Sequence, residues 1–202
     1  REGDVLVVTN LDRLARSTGE AESRSDRVRA SATSPLTPTL SRKRERERAW
    51  TAAAAVVDPE IPVLTIADLG VLRDVAVAED GAVEVSITPT YSGCPATNVI
   101  KLEVELALAR AGIANVRIKT VLAPAWTTDW LSQEGRRKLK QYGIAPPGPN
   151  AGRLALFGIE VVACPLCGSE DTEKLAAFGS TACKALWRCR ACREPFDHFK
   201  CI

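Results

Sequence analysis

The chain has 202 residues, 46% hydrophobic and 26% charged, the balance of a folded, water-soluble protein with room for one or two small domains. Its net charge of +2 gives no electrostatic case for nucleic acid. No apolar run approaches the roughly 18 residues of a membrane span, so neither nucleic acid nor membrane is an expected partner. The charge is uneven: residues 1–49 hold 11 Lys and Arg against 8 Asp and Glu, leaving a balance of −1 for the remainder. Arg1-Glu2-Gly3-Asp4 carries no signal-peptide pattern. The expectation is a cytoplasmic protein with reduced thiols, which favours metal binding over disulfides.

Residues 1–18 read as a strand, Val5 to Val8, followed by an Arg-bearing helix start. The string Leu11-Asp12-Arg13-Leu14-Ala15-Arg16-Ser17 resembles the LDRLxRS segment of serine recombinases, whose two arginines help bind the scissile phosphate and would map to Arg13 and Arg16. The resemblance covers under a tenth of the chain; a short basic helix or a fusion scar is the better reading, and a serine recombinase relic is the remote alternative. Residues 19–49 lose hydrophobic periodicity, and their Ser, Thr, Pro and Arg offer too little apolar surface to offset ordering entropy. The SRKRERER block nearly cancels its own charge and reads as solvated linker. The chain contains no methionine, and the expectation is a disordered leader over 1–49 whose start is a truncated or misread frame.

From Trp50 the pattern becomes globular, and a domain is expected over 50–148. AWTAAAAVV predicts a short helix that stops at Asp58-Pro59, because the residue before proline is pushed out of the helical region. Val71 to Val77 predicts a strand, Asp80-Gly81 a hairpin turn, and the alternating Val83-Glu84-Val85-Ser86-Ile87 its partner. A helix follows Pro95, with Val99, Leu102, Leu106 and Ala109 on the expected core stripe and Gly112 as its stop. Val116 to Val121 is a third strand, and a last helix runs from a Thr127 or Thr128 cap through Leu131 and Leu139 to Gly143. The order αββαβα is a two-layer sheet-and-helix α+β domain.

Chemistry concentrates in the cysteines. Cys94 precedes Pro95, a residue suited to the first position of a helix, which places the thiol where free N–H groups and the helix dipole would favour a thiolate. It is either a metal-handling or nucleophilic thiol or a small buried residue. Asp58, Glu60 and Asp68 flank it in loops, as caps or as functional acids. Trp126 and Trp130 face a partner or the core. The sole histidine, His198, leaves no triad available.

Six of the seven cysteines lie in the last 39 residues. Two Cys-x-x-Cys knuckles, Cys164/Cys167 and Cys189/Cys192, stand 21 residues apart and aim four thiolates at one point, the tetrahedral shell that zinc or iron favours. A ribbon over 149–202 is therefore expected, with short strands at Leu186-Trp187-Arg188 and Phe196 to Phe199 covering the site. Its cofactor is zinc or an iron–sulfur cluster, with Cys183 and Cys201 as possible extra ligands.

The strings DPEIPVLTIADLGVLRDV, TPTYSGCPAT, LAPAWTTDW and YGIAPP, followed by CPLCGSEDT and FGSTACKALWRCRACREPFDHFKC, resemble the PaaD-type phenylacetate-degradation proteins of the SufT-like family. The resemblance spans about residues 50–202 and implies a small iron–sulfur-assembly domain with a metal-binding extension. It implies that Cys94 is the family's SGCP cysteine, that Asp58 and Glu60 are its DPE acids, and that the four knuckle cysteines are the extension's ligands. It also implies a non-catalytic accessory subunit beside the oxygenase and reductase components of the multicomponent oxygenase that epoxidises the ring of phenylacetyl-CoA. That accessory would act in maturation of an iron–sulfur or metal centre. A zinc-ribbon module that only docks other subunits is the alternative.

Overall fold

The computed structural model describes residues 38–148 and 160–200; the recombinase-like string Leu11 to Ser17 and Cys201 lie outside them. Helix α1 (Pro38–Ala54) leads into a long loop, then strands β1 (Leu72–Val77) and β2 (Val83–Ile87), helix α2 (Ala96–Arg110) and strand β3 (Val116–Thr120). A single 3-10 turn (Thr128–Trp130) and helix α3 (Gln133–Gln141) follow, and then the short strand β4 (Ile144–Ala145). Strands β5 (Thr172–Ala176), β6 (Lys184–Cys189) and β7 (Pro195–Phe199) complete the described chain. Among the described residues, no helix is long and apolar enough to cross a membrane.

The first sheet has the order β1-β2-β3, antiparallel then parallel. Strand β2 is central, and the period-2 pattern of its sequence is the period of its burial: Val83, Val85 and Ile87 are buried while Glu84 and Ser86 sit on the other face. On that open face Glu84 accepts from Lys119 at 2.6 Å and pairs with Arg117 at 3.6 Å. Helices α1 and α2 cover the buried face through Ala49, Ala53, Ile100, Val104 and Leu108. The parallel β2–β3 pairing requires a crossover connection, and α2 is that crossover.

Three expectations are corrected here. Residues 38–49 are helical rather than disordered, because Arg46 of the charged block donates to the Val75 carbonyl at 2.6 Å and bonds Asp74 at 3.2 Å, tying α1 to β1. The core stripe of α2 is Ala96, Ile100, Val104 and Leu108, whereas Val99, Leu102 and Leu106 are exposed. The helix is apolar on two faces, and periodicity alone does not say which one meets the sheet. The last helix is broken into the 3-10 turn and α3, because Ser132 takes an extended conformation and caps α3 through Gly135 N–H at 2.8 Å.

The second sheet has the order β4-β7-β6-β5. Ile144 and Ala145, which follow α3, pair in parallel with β7 of the cysteine-rich segment, so the two halves share a sheet. Trp126 cements the same junction: its indole N–H donates to the Leu69 carbonyl at 2.8 Å and its ring meets Phe199 edge-on at 5.9 Å. Phe199 and Cys183 accordingly belong to the large core, while Trp187, Phe196 and the ribbon cysteines form a second, smaller one.

Candidate functional site

The four knuckle cysteines converge. The Cys164 and Cys192 sulfurs are 3.8 Å apart, those of Cys167 and Cys189 are 3.5 Å apart, and all four lie within 4.8 Å of one another. A tetrahedral ion with bonds of about 2.3 Å to sulfur sets an edge of about 3.8 Å. The donor set therefore fits a single ion, and this is a metal-binding site.

Each knuckle is a tight backbone turn. In the first, the Gly168 N–H donates to the Cys164 carbonyl at 2.9 Å, and Gly168 holds a φ of +79°, where glycine is free of strain. In the second, Arg193 occupies the equivalent left-handed position at φ +66°. The Cys192 N–H points at the Cys189 sulfur at 3.5 Å and holds that thiol down at about 7. The Glu194 N–H favours the Cys192 thiolate too, but burial and the three neighbouring sulfurs push it up to about 12. Four thiolates this close repel one another, so metal binding must release protons. Trp187 and Phe196 pack behind the sulfurs, as the aromatic ribbon strands were expected to do.

The second site is the loop around Cys94. Asp58 is buried and accepts from the Glu60 and Ile61 N–H groups at 2.8 and 2.9 Å, which fixes the turn that presents Glu60. Burial raises the Asp58 carboxyl above its usual range despite those two bonds. Asp68 accepts from Thr65 N–H at 3.1 Å and from Lys138 at 2.7 Å, and thus ties the loop to α3. Cys94 sits just before the helix start, half-buried, its N–H donating to the Tyr91 carbonyl at 3.1 Å. Asp58, Cys94, Thr97 and Ile100 line a small cavity of about 10 Å³, at the lower limit for one water.

The helix-start argument for a Cys94 thiolate does not hold in this setting. Burial raises its pKa, and the Ala96 N–H only partly offsets that, with Glu60 and Asp58 adding repulsion. Cys94 therefore rests as a thiol.

Cys183 departs furthest from the sequence reading. It stands immediately before β6 and Cys189 ends that strand, so the two are separated by about 20 Å at about 3.3 Å per residue, too far to share one ion. Its sulfur instead lies 3.5 Å from Glu60 Oε2. Sequence reasoning missed this placement, although the six-residue separation along one strand is a legible sign against shared ligation.

Residues 46–120 match an iron–sulfur cluster assembly protein family, and residues 149–200 match the PaaD zinc beta ribbon domain. A 1,2-phenylacetyl-CoA epoxidase subunit of Escherichia coli is 48% identical over 153 residues, which cover 76% of this chain and 91% of that protein. The chain belongs to the PaaD family. An Fe-S protein maturation auxiliary factor of Porphyromonas gingivalis is 38% identical over 85 residues, 42% of this chain and 80% of that one. A solved domain of unknown function DUF59 from Bacillus anthracis is 24% identical and overlaps 50% of this chain and 96% of its own, with a TM-score of 0.47. Neither matched family reaches residues 1–45. In this PaaD-family chain the assembly-type segment therefore holds the Cys94 loop, and the ribbon segment holds the four-cysteine centre.

Proposed function

We propose that the chain is an accessory subunit of the phenylacetyl-CoA ring-epoxidising oxygenase, acting in the cytoplasm to mature an iron–sulfur or metal centre in its oxygenase or reductase component. The observation that carries this reading is one chain holding two separate thiol sites. One is a four-sulfur centre closed around a single ion, and the other is a half-buried thiol beside Glu60 that an incoming cation would ionise. Similarity to a phenylacetyl-CoA epoxidase component and to Fe-S maturation auxiliary factors supports the oxygenase as the client.

In this reading the ribbon ion is zinc and its role is structural. Sulfur separations of 3.5 and 3.8 Å support one ion over a cluster, in which the four thiolates would be spread over two or more irons. Bound zinc would hold the two knuckles together, a contribution on the order of 10 kcal/mol in isolated ribbon-like units. Asp58 positions Glu60, and Cys94 is the working thiol.

A docking-only role is the second reading, favoured by the exposed side chains Leu166 in the first knuckle and Val99 and Leu102 on α2. Co-expression of the oxygenase components with the Cys94→Ser chain separates the two. The maturation reading expects oxygenase with deficient iron and sulfide while the variant stays folded and zinc-loaded. Full oxygenase activity with Cys94→Ser would overturn it in favour of docking. Metal analysis of the oxygen-free purified chain checks the ion: one colourless zinc per chain is expected, against brown iron with acid-labile sulfide.

A further inference from the structure

Helix α2 carries a second apolar stripe that nothing among the described residues covers. Leu102 and Leu106 are 54% and 39% exposed, one turn apart, on the side away from the core residues Ile100, Val104 and Leu108. Beside them a groove of about 350 Å³ runs between α2 and the end of α1, walled by Ala52, Ala55 and Val57 on one side and by Glu103, Ala107 and Arg110 on the other. A bare apolar strip rimmed by polar groups marks an interaction surface. The charges on its rim single out the occupant. Glu103 and Arg110 are exposed, opposite in sign and seven residues apart, which sets them about 10.5 Å apart along one flank of the helix. Neither makes an ion pair among the described residues. On the open face of the first sheet, by contrast, Arg117 is paired with Asp80 and Glu84, and Lys119 with Glu84.

We propose that this face of α2 pairs with the same face of a second copy of the chain, in an antiparallel dimer whose two-fold axis passes between positions 106 and 107. Each Glu103 then faces Arg110 of the other copy, which gives two ion pairs on the groove flank. Leu106 meets Leu106 on the axis, and on the opposite flank Leu102 lies over the small, exposed Ala109. A two-fold interface needs a surface complementary to itself, and this one is so in both charge and size. The ion pairs lie about 5 Å to either side of the axis, and a shallow helix crossing of about 20° keeps them in register. The pairing is independent of what Cys94 does.

Sedimentation equilibrium of the full, reduced, zinc-loaded chain is the test. A reversible dimer is expected, with a Kd on the order of 10 µM for so small an interface. Leu106→Asp should weaken it at least about tenfold. Glu103→Arg and Arg110→Glu each set like charges against one another and should do the same. Mixed in equal amounts, these two charge variants should recover a heterodimer within about threefold of the native Kd, because every facing pair is then opposite in sign. All three positions are exposed, so zinc content and helical circular dichroism should stay unchanged. A mass of one chain at every concentration up to about 200 µM overturns the proposal. So does a dimer that the charge variants leave unaltered, or a mixture of the two that fails to pair. A chain that stays monomeric alone but binds an oxygenase component through Leu106 would give the face to another protein and overturn it too.

Discussion

Replacing Phe199 by alanine should separate the two halves of the chain. The ring is 1% exposed and meets Trp126 edge-on at 5.9 Å, while Trp126 is anchored to the Leu69 carbonyl at 2.8 Å. Phe199 is therefore a plug from β7 set into the core of the first sheet, in the same cluster as Ile61, Leu64 and Leu69. Truncating a fully buried phenylalanine costs about 3–5 kcal/mol in lost transfer energy and residual cavity. Of that, about 1 kcal/mol belongs to the edge-on aromatic pair. Against a total stability of roughly 5–15 kcal/mol, this is a large share. The same strand end carries the Lys200 N–H that holds Cys183, so the loss should also free that thiol. Urea unfolding of the metal-loaded chain, followed by tryptophan fluorescence, should show Phe199→Ala losing about 4 kcal/mol. Cys183 should react with a thiol reagent many times faster while the four metal-bound thiols stay protected. A loss below about 1 kcal/mol, or unchanged Cys183 reactivity, would refute the idea that this contact joins the halves.

Cys189→Ser should abolish metal binding at the ribbon and make residues 160–200 sensitive to protease, checked by metal analysis and limited proteolysis; an unchanged metal content would contradict the four-sulfur site. Asp58→Ala leaves the Glu60 and Ile61 N–H groups without their acceptor and should cost about 2 kcal/mol. Asp58→Asn keeps an acceptor oxygen and should recover most of that, as read by thermal unfolding of both variants. His198 is buried and its pKa is pushed down to about 4, with Glu160 at 3.5 Å opposing the shift and Lys174 and Lys200 reinforcing it. A folded pKa below the unfolded one means full stability above about pH 6.5 and a loss as pH falls from there towards 4, reaching about 3 kcal/mol. His198→Gln should flatten the acid limb of the stability profile by close to one proton over that window; an unaltered slope would show that His198 is not buried neutral.

Local rules carried the strands and the ribbon. The alternation Val83-Glu84-Val85-Ser86-Ile87 is a half-buried strand by its period alone, and it is the central strand of the sheet. The two Cys-x-x-Cys turns needed no tertiary information, because each knuckle is closed by its own backbone hydrogen bonds and the chemistry of four thiols does the rest. Matters were different for α2, where two apolar stripes compete. Choosing Ile100 and Val104 over Leu102 and Leu106 depends on where the sheet lies. The charged block Ser41 to Arg48 was misread for the same reason, since Arg46 gains order only from the Val75 carbonyl of β1.

The chemistry of the thiols divides along the same line. Ligand spacing within a turn is a short-range property, so the metal-binding residues of the ribbon were legible from the order of amino acids. The state of Cys94 was not, because burial and the nearby acids outweigh the helix start that its position in the chain provides. The place of Cys183 likewise came from packing. Strand β6 has a length that carries Cys183 about 20 Å from Cys189, and the packing of Phe199 against Trp126 brings that end of the strand to Glu60. Contacts between residues more than a hundred positions apart follow from how two sheets dock, and no local pattern encodes the outcome.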